Sequence, residues 1–215
     1  MAAVGSACLF VGFLAALWAA AAGLYGAVTG NRRFAVSARR GLYCLAALLT
    51  TSMVLLEIAY LRSDFSFKLV AQNSSTDTPT FYKVTAMWSS QEGSLLLWAF
   101  LLSLYGSVAL YVTRHKHREI VPYATAVLGG IAAFFIALMV VAGENPFATL
   151  ASVPVQGNGL NPLLRHPAMM IHPPMLYSGY VGFAIPFAFA IGALIVRRTD
   201  AEWIDRKSTR LNSSH

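Results

Sequence analysis

Five stretches of this chain are each apolar for about the twenty residues that a helix needs to cross a hydrocarbon core. They run from about Val4 to Thr29, Leu42 to Leu61, Ser94 to Thr113, Ile120 to Ala142 and Met175 to Val196. No water-soluble fold buries that many uninterrupted apolar runs. Only 12% of the residues are charged, about half the share of a typical soluble domain. The expected fold class is therefore all-α: a polytopic integral membrane helical bundle of about five transmembrane helices. The formal net charge of +7 is no nucleic-acid footprint, because the basic residues sit at the ends of the apolar runs. Cys8 and Cys44 lie inside apolar segments, form no CxxC pair and read as small buried hydrophobes. The first run lacks a basic leader and is too long for a secretory signal.

Residues 205–215, Asp-Arg-Lys-Ser-Thr-Arg-Leu-Asn-Ser-Ser-His, match one reading frame of a common short-read sequencing adapter. They are set aside from the fold as a non-native tail, which leaves residues 1–204 as one membrane unit. Without the tail the chain has 13 basic and 8 acidic residues, a net charge of +5. The expectation is that the natural reading frame continues beyond Ile204 and that the chain is an N-terminal fragment.

Basic residues orient membrane helices, with Lys and Arg retained on the cytoplasmic side. Arg32, Arg33, Arg39 and Arg40 fall between the first two runs, Arg114, Lys116 and Arg118 between the third and fourth, and Arg197 and Arg198 after the fifth. The opposite side has only Arg62, Lys68, Lys83 and Arg165, in two much longer loops. The N-terminus is thus expected outside. The loops of about Arg62–Gly93 and Gly143–Pro174 are expected to face the exterior. His115 and His117 belong with the basic turn. Glu57, the one acidic residue within an apolar run, is expected to snorkel or pair near the external end of its helix.

Both external loops hold unusual segments. Trp88-Ser-Ser-Gln-Glu-Gly-Ser-Leu-Leu-Leu-Trp98 runs into the third helix. By residue type alone its tryptophans are an interfacial aromatic belt, and Glu92 suits the positive end of the helix. The second segment runs from Gly157 to Gly182 and includes Arg165, His166, His172, Pro173 and Pro174. Pro173 and Pro174 suit the first turn of the fifth helix and would push His172 out of the α region. The imidazole is then expected just outside a helix N-terminus, which disfavours positive charge. A neutral imidazole is what a haem iron accepts as axial ligand, and Arg165 could receive a propionate. Residue type and spacing equally allow His172 to be a helix cap or a partner of a loop carbonyl.

WSSQEGSLLLW (Trp88–Trp98) and GLNPLLRHPAMMIHPPMLYSGYVG (Gly159–Gly182), with Asp64-Phe-Ser-Phe67 before them, resemble signature segments of the CcmF/NrfE family over essentially all of residues 1–204. The resemblance implies a multi-pass protein of the bacterial inner membrane and a component of a cytochrome c haem lyase. Such a component receives haem b as substrate from a periplasmic haem chaperone. It works with apocytochrome c and other maturation subunits while thioethers form at a CxxCH motif. By position, His172 matches an external axial haem ligand; Arg165, near it in sequence, is the candidate propionate partner, and Trp88 a further candidate cofactor-binding residue. The family's second external histidine, its tryptophan-rich haem segment and its structural haem site have no counterpart here. His166 matches no ligand position and is expected to face water. Related haem handlers of the CcsA-like or CcmC-like kind are the alternatives, and an ion or solute transporter a more distant one. The Trp-Glu-Gly and HPP segments favour CcmF/NrfE.

Overall fold

The computed structural model describes residues 1–197. Arg198 and the tail 205–215, with His215, lie outside the described residues. Among the described residues seven α-helices form, in the order α1 (Ala2–Thr29), α2 (Arg32–Leu61), α3 (Lys68–Asn73), α4 (Thr80–Ala86), α5 (Gln91–Val112), α6 (Val121–Val140) and α7 (Pro167–Ile195). Of these, α1, α2, α5, α6 and the Met170–Ile195 part of α7 are long and apolar enough to cross a membrane. The protein is a polytopic α-helical bundle, as expected.

Helix α1 packs between α2 and α6, and its buried face consists of small residues such as Gly12, Ala16, Ala19 and Gly23. Without large side chains between them, helix backbones approach closely, which is how helices associate where no hydrophobic driving force operates. Gly129 of α6 shows how close: a Cβ there would lie 2.7 Å from the backbone N of Ala20. Leu9, Leu42, Leu45, Leu49, Leu96, Leu128 and Ile136 complete the core.

Three boundaries differ from the sequence expectation, each for a local reason. Helix α2 begins ten residues before the apolar run, because Gly30 takes the left-handed conformation (φ 66°) and Asn31 caps the helix by accepting from the Arg33 backbone N–H at 3.0 Å. Arg32, Arg33, Arg39 and Arg40 are therefore helical, and the connection from α1 is only Gly30–Asn31. The first long loop is not irregular, since it folds into α3, α4 and a 3₁₀ turn at Met87–Ser89. Helix α7 begins at Pro167 rather than about Met175. Two single-residue expectations fail as well. Cys44 is exposed on the outer face of α2 and Cys8 only partly buried. Glu57 does not pair: its Oε1 is buried and has no hydrogen-bond partner among the described residues.

Candidate functional site

The two long loops fold onto each other at one end of the bundle. The Lys68 backbone N–H donates to the Ala148 carbonyl at 2.9 Å, and Leu150 N–H returns to Ser66 O at 2.9 Å. Asn158 and Gly159 N–H groups reach the Ala71 and Ser74 carbonyls at 2.8 and 3.1 Å. Gln156 accepts from the Thr76 N–H and donates to its hydroxyl. Backbone groups away from water need such partners, and here each loop supplies them to the other. Gly157 has no room for a side chain, because a Cβ would collide with the Ser74 carbonyl.

Beside this layer, the Trp-Ser-Ser-Gln-Glu-Gly segment forms a tight entry into α5. Ser90 is the N-cap, its hydroxyl accepting from the Gly93 N–H at 3.3 Å, and Glu92 lies in the first turn, where a negative charge is favoured. The chain doubles back so sharply that the Met87 carbonyl lies where a Cβ of residue 93 would be. Trp88 sits in the 3₁₀ turn, partly buried against the core, and its indole N–H is buried without a hydrogen-bond partner among the described residues. Its carbonyl accepts from the Ser94 hydroxyl at 3.0 Å, and Ser94 accepts from the Tyr177 hydroxyl at 3.2 Å. This relay joins the Trp88 turn to α7. A second link, Tyr105 to Ser178 at 3.2 Å, lies deeper in the bundle. Trp98 packs against Tyr177 and Tyr180, with ring centroids 5.9 and 6.3 Å away.

Helix α7 corrects the expected setting of His172. The N-cap is His166, whose Nδ1 accepts from the Ala168 N–H at 3.2 Å, and Pro167 is the first helical residue. Pro173 and Pro174 are inside the helix, so His172 is helical, in the second turn. A proline tolerated at a first turn was already available at Pro167. The later pair costs two backbone hydrogen bonds without ending the helix. The helix-terminus effect fades within the first turn, so it acts on His166 and not on His172. His166 is exposed, as expected.

His172 is itself exposed, and the residues over the next three turns of its face are apolar and open: Met175 is 68% and Phe183 75% exposed, with Gly179 between them. Helix α7 is the least buried of the five spans. Arg165, also exposed, ends a 3₁₀ turn at Pro162–Arg165, and its guanidinium lies over Gly159, 3.7 Å from where a Cβ would stand. The structure thus leaves His172 and Arg165 accessible at the looped end, whereas the Trp88 indole packs inward. Among the described residues no three His, Cys, Asp or Glu side chains cluster to hold a metal ion. A metal held here would take a single ligand from this chain, the rest coming from the group that carries it. An accessible imidazole bordered by an apolar strip fits that requirement. Sequence reasoning missed Tyr177, Ser94 and Tyr105, which carry no signal of their own until α5 and α7 are side by side.

These features define a class: a multi-pass α-helical membrane protein with an ordered loop layer and an exposed helical histidine at the same end of the bundle. The chain belongs to the cytochrome c assembly protein family, whose model matches residues 88–214. It is 39% identical over 201 residues to the cytochrome c-type biogenesis protein CcmF of Pseudomonas aeruginosa, covering 93% of this chain and 30% of the relative. The NrfE protein of Haemophilus influenzae is 37% identical over 157 residues, 73% of this chain and 25% of the relative. A solved structure of the cytochrome c haem lyase CcmF superposes with a TM-score of 0.78 at 30% identity, covering 92% of this chain and 31% of that one. The chain therefore spans less than a third of the length of these relatives, and corresponds to an N-terminal part of a CcmF-type protein.

Proposed function

We propose that this chain takes part in cytochrome c maturation by holding haem at the external face of a bacterial inner membrane. The N-terminus and the layered loops face the periplasm, and the arginine-rich end of the bundle faces the cytoplasm. His172 offers its imidazole as one axial ligand to haem iron. Arg165, a rigid fork of donors, receives a propionate, and the Trp88 turn holds α5 and α7 in register beneath the haem. Haem b is here a substrate, passed from a periplasmic haem chaperone to apocytochrome c with other maturation subunits at hand. Thiols of the apocytochrome add across the haem vinyl groups, so the chemistry belongs to cofactor and thiol while the protein binds and orients. The observation that carries this reading is an exposed imidazole at the looped end of α7, in a segment covered by the family match.

In the full-length protein, His172→Ala should abolish the absorption of the externally bound haem while membrane insertion is retained. Unchanged haem occupancy together with unchanged cytochrome c maturation would refute the ligand assignment.

A further inference from the structure

At the end of the bundle opposite the loop layer, the structure forms a half-open cavity of about 550 Å³. Its wall carries four guanidinium groups, Arg32 and Arg39 of α2 with Arg114 and Arg118 of the α5–α6 connection, together with His115 and a single acid, Glu119. Glu119 neutralises at most one arginine, so the lining is cationic whatever it pairs with. Arg114 is anchored, its guanidinium 3.9 Å from the centre of the Tyr111 ring and its Nη1 donating to the Tyr111 carbonyl at 2.7 Å. The Nε of Arg39 is buried with no hydrogen-bond partner among the described residues, and so is the hydroxyl of Tyr43, one turn further along α2. Buried polar groups in native proteins are nearly always paired, and of these two only Arg39 belongs to the cavity wall, so an anion in the cavity would give its guanidinium the partner it lacks. The rest of the wall is apolar, from Val36, Val121, Pro122 and Val196.

We infer that this cavity binds a phosphate group, and that the phosphate is the headgroup of an anionic glycerophospholipid. A phosphate supplies the several acceptor oxygens and the negative charge that clustered guanidiniums require. The membrane boundary and the apolar part of the wall favour a phosphate that carries acyl chains over a soluble one, and basic pockets between spanning helices suit such headgroups. This site is separate from the haem-handling end and depends neither on that reading nor on which way the protein is oriented.

The test uses the full-length protein, purified in detergent and stripped of lipid. It is titrated with phosphatidylglycerol, with zwitterionic phosphatidylcholine or with inorganic phosphate, and thermal stability is read. Phosphatidylglycerol should raise the melting temperature, and phosphatidylcholine should not. Arg39→Gln should raise the half-saturating concentration of phosphatidylglycerol about fivefold. Arg118→Gln, at an exposed position, should act in the same direction and serves if the Arg39 variant does not fold. Arg33→Gln removes a charge from the same end without touching the cavity, and should leave the titration unchanged. Stabilisation by inorganic phosphate alone would sustain the phosphate site and assign it to a soluble anion. Equal stabilisation by both lipids, or an Arg33→Gln effect as large as that of Arg39→Gln, would overturn the inference.

Discussion

Two alanine substitutions in spanning helices should move stability in opposite directions, and the sign depends only on what the new methyl group meets. At Gly130 of α6 a Cβ finds nothing within 4 Å, so the glycine contributes only its conformational cost. Replacing it by alanine recovers up to about 1 kcal/mol of helix stability. At Gly93, the third residue of α5, the same recovery is offered, but the Cβ would occupy the position of the Met87 carbonyl oxygen. That neighbour is backbone and cannot rotate away. The 3₁₀ turn of Met87–Ser89 has to lift off α5, at the roughly 1–3 kcal/mol typical of overpacking, and the hydrogen bond from Ser94 to the Trp88 carbonyl is strained with it. Gly93→Ala is therefore expected to destabilise by about 1–2 kcal/mol net, with Gly130→Ala neutral or stabilising. Thermal unfolding of the purified proteins in detergent measures the first quantity. Limited proteolysis of the loop before α5 reports the displaced turn. A Gly93→Ala protein as stable and as protease-resistant as the Gly130→Ala protein would show that the turn does not pack as described.

Two further outcomes test the register and the orientation of the bundle. Tyr177→Phe keeps the ring against Trp98 but removes the hydroxyl that Ser94 accepts. It should lower thermal stability by about 0.6 kcal/mol, the usual worth of a hydrogen bond between membrane helices, and a neutral result would remove the relay from α5 to α7. For orientation, cysteine replaces exposed Asp77 of the loop layer or exposed Lys116 of the basic turn, with Cys8 and Cys44 changed to alanine. A membrane-impermeant maleimide should label position 77 in cells whose outer membrane is permeable and position 116 only after the inner membrane is opened. The reverse pattern would invert the topology.

Much of the fold was legible because crossing a bilayer is a demand on composition and length, which a linear pattern displays directly. Five apolar runs predicted five spans, and all five formed within a few residues at most ends. The exceptions lay where a helix continued past its apolar stretch. Arg32–Arg40 look like a loop by charge, but the cap at Asn31 makes them helix. Pro173–Pro174 look like a helix start, but Pro167 and the His166 cap had already begun α7. Hydropathy reports where a segment meets lipid, whereas caps report where hydrogen bonding begins, and the two need not coincide.

By itself, then, the sequence determined the fold class, the family resemblance and the choice of the HPP imidazole, His172, as the candidate ligand. Tertiary structure alone decided the setting of that imidazole within a helix, the mutual pairing of the two loops and the approach of Met87 to Gly93. It also decided the gathering of Arg32, Arg39, Arg114 and Arg118 around one cavity. The physical reason is range. Membrane insertion is set by consecutive residues, but a shared backbone hydrogen bond, a steric exclusion or a concentration of charge exists only once distant segments stand side by side.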